Sequence, residues 1–202
     1  MKIRILFAII SFLAFVNIVK AQSTGGDKIS FGLESSRPNF TQRGGGTSSV
    51  GFGGSIKYDL FVASDFYVTA SVQYLYFPYN DYGQAFAKSL EYYRELGAQD
   101  LKYSHSGDNF ATLMIGSKYY FTKKIYGEAQ VGLEIVAGAL YGDSGAFVFS
   151  PGVGYNFSNS FDIGVRYQGW TESSILQDQL TLRVAYSLDA KKINQPKNDR
   201  RY

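Results

Sequence analysis

The sequence predicts an all-β fold, namely an eight-stranded antiparallel up-and-down transmembrane β-barrel with a short extracellular helix in one loop. Two observations lead to this prediction. Apolar side chains alternate with small or polar ones over long stretches, and the connections between these stretches are alternately short and long. The composition agrees, because the 202 residues include 22 Gly, 17 Tyr and 16 Phe but only four Pro and no Cys. Aromatic residues favour strands, and a chain without cysteine has neither disulfides nor thiolate metal sites.

The clearest alternation extends from Asn109 to Leu140 and reverses at a three-residue turn, 122–124. Apolar residues occupy every second position on both sides of the turn, as Leu113 does before it and Val131 and Leu133 do after it. A period of two residues indicates strands. Each arm is longer than the usual five or six residues of a globular strand and matches the ~9–11 residues that a tilted strand needs to cross a bilayer.

The same pattern recurs along the rest of the chain. Eight alternating segments are predicted at residues 28–38, 48–61, 66–77, 109–122, 124–140, 145–157, 160–170 and 178–188. The links at 62–65, 122–124 and 158–159 are short enough for hairpin turns, whereas 39–47, 78–108, 141–144 and 171–177 are longer. Short turns at one end and long loops at the other are typical of outer-membrane barrels, whose short turns face the periplasm.

The two phases of the alternation differ in composition, and this difference predicts which face meets lipid. The polar phase consists mainly of Gly, Ser, Thr and Gln with few, nearly balanced charges. A water-facing surface would carry more Lys and Glu and less Gly, whereas a narrow eight-stranded lumen is filled by side chains of this kind. We therefore predict that the polar phase faces inward and the apolar phase faces lipid.

Aromatic residues of the apolar phase support this orientation. At the predicted periplasmic ends of the strands they are Tyr58, Phe66, Tyr119, Phe121, Tyr155, Phe157, Phe161 and Tyr186. At the predicted outer ends they are Tyr74, Tyr76, Phe147 and Tyr167. Two aromatic belts separated by aliphatic residues are expected where rings lie at the level of the lipid headgroups.

Seven of the charged residues in the inward phase form a predicted structural charge network. They are Glu34, Lys57, Lys118, Glu128, Glu134, Arg166 and Arg183. Buried ions need partners, because removing an ion from water costs several kcal/mol that only good pairing offsets. The favoured interpretation is an ion-pair plug that fills the lumen; a gated conduit or a proton path is the alternative.

With these features the chain resembles the eight-stranded outer-membrane barrels of the OmpA and OmpX kind and the porin-like outer-membrane β-barrel families, over residues 28–188. The resemblance implies insertion by the outer-membrane assembly machinery, which in such proteins reads alternating aromatic or apolar residues in the last strand. Val184, Tyr186 and Leu188 match that pattern, whereas Arg183 stands where the family pattern has glycine. The expected partners are therefore outer-membrane lipid, lipopolysaccharide and the assembly machinery, and the sequence names no extracellular partner.

The longest loop, 78–108, contains a helical pattern. Phe86, Leu90, Tyr93 and Leu96 recur at spacings of four, three and three residues. This spacing predicts a short amphipathic helix outside the membrane. Its apolar stripe either packs on the barrel rim or engages a partner at the surface.

The ends of the chain are assigned by charge and hydropathy. Residues 1–21 are predicted to be a signal peptide, 22–188 the outer-membrane barrel, and 189–202 a basic periplasmic tail. Lys2 and Arg4 precede an apolar run, as secretory signals require. The precursor has a formal net charge of +3, and removal of Lys2, Arg4 and Lys20 lowers it to zero. A neutral mature chain argues against nucleic-acid binding.

The expected function is a non-enzymatic role in the structure of the envelope or in surface interaction, without a cofactor or metal. One alternative is a lipid-modifying or peptide-cleaving enzyme at the barrel rim that uses His105, the single histidine. Others are a narrow porin-like conduit and a soluble ligand-binding barrel. The sequence alone leaves these alternatives open.

Overall fold

The computed structural model describes residues 26–38, 48–96, 106–137, 144–172 and 175–190. Within these ranges the strands are β1 (Lys28–Pro38), β2 (Gly51–Ala63), β3 (Phe66–Pro78), β4 (Gly107–Tyr120), β5 (Ile125–Ala137), β6 (Ser144–Asn156), β7 (Phe161–Glu172) and β8 (Ile175–Asp189). A helix, α1 (Asp81–Glu95), lies between β3 and β4.

The strands form one closed antiparallel barrel in sequence order, and β8 pairs with β1 to complete it. Closure satisfies the backbone hydrogen bonds of both edge strands, which a sheet inside a lipid bilayer requires. The predicted all-β class, strand number and up-and-down topology are therefore confirmed. The predicted strand limits differ from the observed ones by a few residues; for example, β8 begins at Ile175, three residues before the predicted start.

The connections have the predicted asymmetry. Two hairpin turns, β4–β5 and β6–β7, are closed by a hydroxyl group. Thr122 Oγ1 accepts a hydrogen bond from the Ile125 amide at 2.9 Å, and Ser158 Oγ accepts one from the Phe161 amide at 3.1 Å. These turns, the β2–β3 turn, the start of β1 and the end of β8 define the short-turn end of the barrel. The opposite, long-loop end carries α1.

The apolar phase of every described strand lies on the exterior. Leu33, Leu113, Leu133 and Val153 are 58–77% exposed although they are apolar, and Phe121 is 64% exposed at the short-turn end. A continuous apolar surface around the whole barrel is far larger than the patches that soluble monomers expose. The exterior therefore has the character of a lipid-facing surface.

Helix α1 starts directly after β3, at the long-loop end. Asn80 caps it, because its Oδ1 accepts a hydrogen bond from the Gly83 amide at 2.9 Å. Phe86 and Leu90 pack against the buried residues Tyr79 and Ala87. Among the described residues, no helix is long and apolar enough to span a membrane.

Candidate functional site

The lumen is the candidate functional site, and its long-loop half is filled by an apolar layer. This layer consists of Leu75, Phe77, Phe110, Met114, Ala146, Val148 and Trp170. The Phe110 ring lies 5.0 Å from that of Phe77 and 5.7 Å from that of Trp170, both in edge-on contacts. The sequence pattern predicts a polar lumen, so this apolar layer was not expected. The reason is that both phases of β3 become apolar near its end, from Tyr74 to Phe77, so alternation no longer distinguishes the faces.

Glycines of the inward phase make room for the large lumen side chains. A Cβ atom at Gly51 would lie 2.6 Å from the Phe77 ring, and one at Gly32 would lie 2.5 Å from Arg183 Nε. Gly154 is similarly covered by the Tyr126 ring. The glycines therefore pair with long side chains on neighbouring strands, and the lumen is filled.

The short-turn half of the lumen is ionic. Lys57 pairs with Glu128, and Lys118 Nζ lies 3.1 Å from Asp59 Oδ2. Lys118 Nζ also lies 4.0 Å from the centre of the Tyr126 ring, a cation–π contact. Both lysines thus have an anionic partner inside the barrel.

The middle of the lumen is organised around Glu34. Arg166 Nη2 lies 2.5 Å from Glu34 Oε2, and Arg183 Nε lies 3.5 Å from Glu34 Oε1. Gln73 Nε2 donates a further hydrogen bond to Glu34 Oε2 at 2.5 Å. Arg183 Nη1 also approaches Asp162 Oδ1 at 3.7 Å. One carboxylate and two guanidinium groups therefore join β1, β7 and β8 through their side chains.

All seven charged residues singled out in the sequence point into the lumen. Six of them, Glu34, Lys57, Lys118, Glu128, Arg166 and Arg183, take part in ion pairs. Two further carboxylates, Asp59 and Asp162, join these pairs although the sequence analysis left them out of the network. Their position in the inward phase, two residues after Lys57 and four before Arg166, would have identified them.

Glu134, the seventh, is held differently from the predicted ion-pair network. Its Oε2 accepts hydrogen bonds from Thr112 Oγ1 and Gln168 Nε2, both at 2.9 Å. None of the ion pairs formed by the described residues includes this carboxylate. Its partners are neutral because the neighbouring inward positions carry hydroxyl and amide side chains.

The other candidate residues lie away from the lumen. In the predicted loop stripe, Phe86 and Leu90 are partly buried against Tyr79, whereas Tyr93 and Leu96 are 55% and 66% exposed. His105, the proposed signal segment 1–21 and tail residues 191–202 lie outside the described residues. Within the described ranges, no group of three or more His, Cys, Asp or Glu side chains is arranged to hold a metal ion.

The geometry defines a class of protein: a small, closed eight-stranded β-barrel of the outer-membrane type, with an apolar exterior and a filled lumen. Among solved structures, the chain is similar to Ail, the attachment invasion locus protein of Yersinia pestis, in complex with the heparin analogue sucrose octasulfate. The TM-score is 0.54 at 13% sequence identity, covering 82% of this chain and 100% of that chain. Ail in a phospholipid bilayer nanodisc gives a TM-score of 0.51 at 12% identity, covering 81% of this chain and 100% of that chain.

Neisserial surface protein A is a second similar structure, with a TM-score of 0.50 at 15% identity over 82% of this chain and 97% of that chain. No protein-family model matches the sequence, and no curated protein matches it. At these identities the likeness concerns the fold, which is that of the small outer-membrane β-barrels.

Proposed function

We propose that this protein is a non-enzymatic β-barrel of the outer membrane with a closed lumen, and that it serves envelope structure or surface interaction. The observation that carries the proposal is the apolar layer around Phe77, Phe110 and Trp170. It lies above the ionic half of the lumen, so any solute would have to pass both an apolar constriction and a set of paired charges. Hydrophobic constrictions exclude water and ions.

The lipid-facing exterior supports the membrane location. Aliphatic side chains such as Leu113 and Leu133 ring the middle, and exposed aromatic residues such as Tyr74 and Phe121 lie nearer the ends. Tyr186 and Leu188, which belong to the predicted assembly signal, face outward on β8. Outer-membrane lipid, lipopolysaccharide and the assembly machinery are accordingly the partners that we propose.

A role in surface interaction is favoured by one flank of α1. Tyr82, Tyr92, Tyr93 and Leu96 are 55–66% exposed, and the rings of Tyr92 and Tyr93 contact each other at 6.0 Å. Loops on a rigid scaffold are where recognition usually resides. The helix is anchored by its other flank through Phe86 and Leu90, which leaves the tyrosine flank open for contact.

The location is tested by fractionating cells and comparing boiled with unboiled protein on a gel. We expect the protein in the outer-membrane fraction, with faster mobility before boiling. Recovery in the soluble fraction would contradict the proposal and favour a soluble ligand-binding barrel.

The closed lumen is tested by recording currents across planar bilayers that contain the purified barrel. We expect small or rare conductance steps. Large, steady steps would overturn the closed-lumen proposal and favour the conduit. The enzyme alternative requires His105, so any lipid-modifying or peptide-cleaving activity that disappears in His105→Ala would favour that reading instead.

A further inference from the structure

The charges inside the lumen do not balance. The described lumen residues include four cations, Lys57, Lys118, Arg166 and Arg183, and all four are paired. Their partners are Glu34, Asp59, Glu128 and Asp162. Glu134 is the fifth deeply buried carboxylate, so these buried residues carry one negative charge in excess when all of them are ionised. Lys28, a further cation of the inward phase, is only half-buried at the short-turn mouth of the lumen and is not included in this count.

The Glu134 carboxylate also receives few hydrogen bonds for a buried anion. It is 1% exposed, and only Oε2 receives hydrogen bonds, from Thr112 and Gln168. Its second oxygen, Oε1, has no hydrogen-bond partner among the described residues. An uncompensated buried charge is strongly unfavourable, so this position calls for a positive charge.

Gln168, which bonds Glu134, and two neighbours of Gln168 on the adjacent strands also have unsatisfied atoms. Gln168 donates a hydrogen bond to Glu134 through Nε2, but its Oε1 has no hydrogen-bond partner among the described residues. Gln179 is the direct neighbour of Gln168 on β8, and neither its Oε1 nor its Nε2 has a hydrogen-bond partner among the described residues. Ser150 Oγ is also without a partner among the described residues. On either side, Phe149 pairs with Gly169 and Gly152 pairs with Arg166 in the same register. Ser150 on β6 therefore lies opposite Gln168 on β7.

These atoms are buried as deeply as Glu134. Gln168 and Gln179 are 0% exposed and Ser150 is 2% exposed. In the same strands, Val148 and Trp170 of the apolar layer occupy the next inward positions towards the long-loop end. Ser150 and Gln168 thus lie directly beneath the apolar layer, and Glu134 lies level with it, in register with Ala146.

Five other unsatisfied atoms in the described lumen belong to Glu34, Asp59, Gln73, Arg166 and Arg183, and all of these residues except Gln73 take part in ion pairs. The atoms of Glu134, Ser150, Gln168 and Gln179 have no ionic partner among the described residues. Buried polar groups in native proteins are satisfied almost without exception, so this second group indicates a site built for a ligand.

We propose that Glu134, Ser150, Gln168 and Gln179 form a buried binding site for one hard monovalent cation of the sodium or potassium type. Four of the five unsatisfied atoms are oxygens: a carboxylate, a hydroxyl and two amide oxygens. Oxygen donors of this kind suit hard cations, and softer metals prefer nitrogen or sulfur. One excess negative charge matches one positive charge, which favours a monovalent over a divalent ion. The bound ion neutralises the lumen and joins β5, β6, β7 and β8.

The experiment refolds the full barrel in detergent with sodium chloride, potassium chloride or N-methylglucamine chloride at equal ionic strength. The temperature at which the gel-resistant folded form disappears is then measured. Wild type is expected to be more stable in sodium or potassium than in N-methylglucamine, which is too large for the site. Its midpoint should rise with the logarithm of the small-cation concentration, as for any ligand that binds only the folded state.

Two variants and one control distinguish the site from a general salt effect. Glu134→Gln keeps the size of the side chain and removes its charge, so its midpoint should no longer depend on the small cation. Gln179→Leu removes an oxygen ligand without changing the charge and should weaken the dependence. Asp65→Asn, in the exposed β2–β3 turn, removes a negative charge elsewhere and should keep the full dependence.

Equal stability of wild type in all three salts would overturn the proposal, and so would an unchanged cation dependence in Glu134→Gln. Either result would mean that the Glu134 side chain is a protonated, neutral carboxylic acid in the folded barrel. If Glu134→Gln does not fold, wild type and Gln179→Leu decide the question. Bilayer conductance is measured separately, so failure of this site leaves the closed-lumen proposal intact.

Discussion

Arg166 Nη2 donates a hydrogen bond to Glu34 Oε2 at 2.5 Å, and this contact joins β7 to β1 across the lumen. On the adjoining strand β8, Arg183 pairs in register with Glu34 and lies 3.5 Å from its other oxygen. The Glu34 carboxylate therefore forms ion pairs with two arginines next to the pairing of β8 with β1, which closes the barrel. The pairing of β8 with β1 brings together residues that are far apart in the sequence.

Glu34→Ala is predicted to destabilise the barrel by about 3–5 kcal/mol, because breaking a buried ion pair leaves an uncompensated charge. Here both Arg166 and Arg183 lose their shared partner. The measurement is urea unfolding in lipid vesicles. Asp65→Asn in the exposed turn is the control and should unfold like wild type. An equal unfolding midpoint for Glu34→Ala would show that the arginines do not depend on this carboxylate.

Leu133→Arg is predicted to destabilise the folded barrel by ~2–4 kcal/mol, the range for a cation on the lipid face near the bilayer midplane. Leu133 is 64% exposed on the outer face of β5. Unfolding in vesicles measures the change, and Leu133→Ile, which stays apolar, is the control. Wild-type stability in the arginine variant would mean that this face does not meet lipid.

Gly132→Ala is predicted to destabilise the barrel by about 1–3 kcal/mol through overpacking. An added Cβ would collide with the Leu113 carbonyl oxygen and lie 2.8 Å from Met114 Cα, so backbone on β4 would have to move. Gly145→Ala is the matched control, because the nearest atom to its Cβ would be 3.9 Å away. The two unfolding curves are compared directly, and the prediction fails if they coincide.

Ala87→Glu is predicted to release α1 from the rim while the barrel stays folded. Ala87 is 4% exposed against Tyr79, so a carboxylate there would be buried without a partner. Limited proteolysis should cut the loop faster, with heat-dependent gel mobility retained. Ala85→Glu lies on the exposed flank of the same helix and should be cut like wild type. Loss of the folded barrel in Ala87→Glu would show instead that the helix is needed for folding.

The double variant Phe77→Ala with Trp170→Ala is predicted to raise conductance across planar bilayers. Both rings belong to the apolar layer, and their removal opens space in the long-loop half of the lumen. Phe147→Ala is the control, because Phe147 is 55% exposed on the outer face and should leave conductance unchanged. Unaltered currents in the double variant would place the barrier in the ionic half of the lumen.

Much of the fold was predictable because the side chains of a strand alternate between two faces. The alternation around Leu113 and Leu133 predicts the hairpin and its outer face, and the structure has both. The positions of the short turns could also be predicted, since Thr122 and Ser158 lie in two of the three short turns. Strand ends were less certain, because alternation fades where a strand enters a loop.

The number of strands, their order and the direction of the charged side chains could be predicted from the sequence, because each depends on local periodicity and on the length of the connections. Which charges form pairs could be read only from the folded barrel. Glu34 and Arg166 are 132 positions apart and become neighbours only when the barrel closes. It also revealed the apolar layer containing Phe77 and Trp170, and it left Glu134 among neutral partners. These features depend on the register of all eight strands around a shared lumen, and no local pattern in the chain records that register.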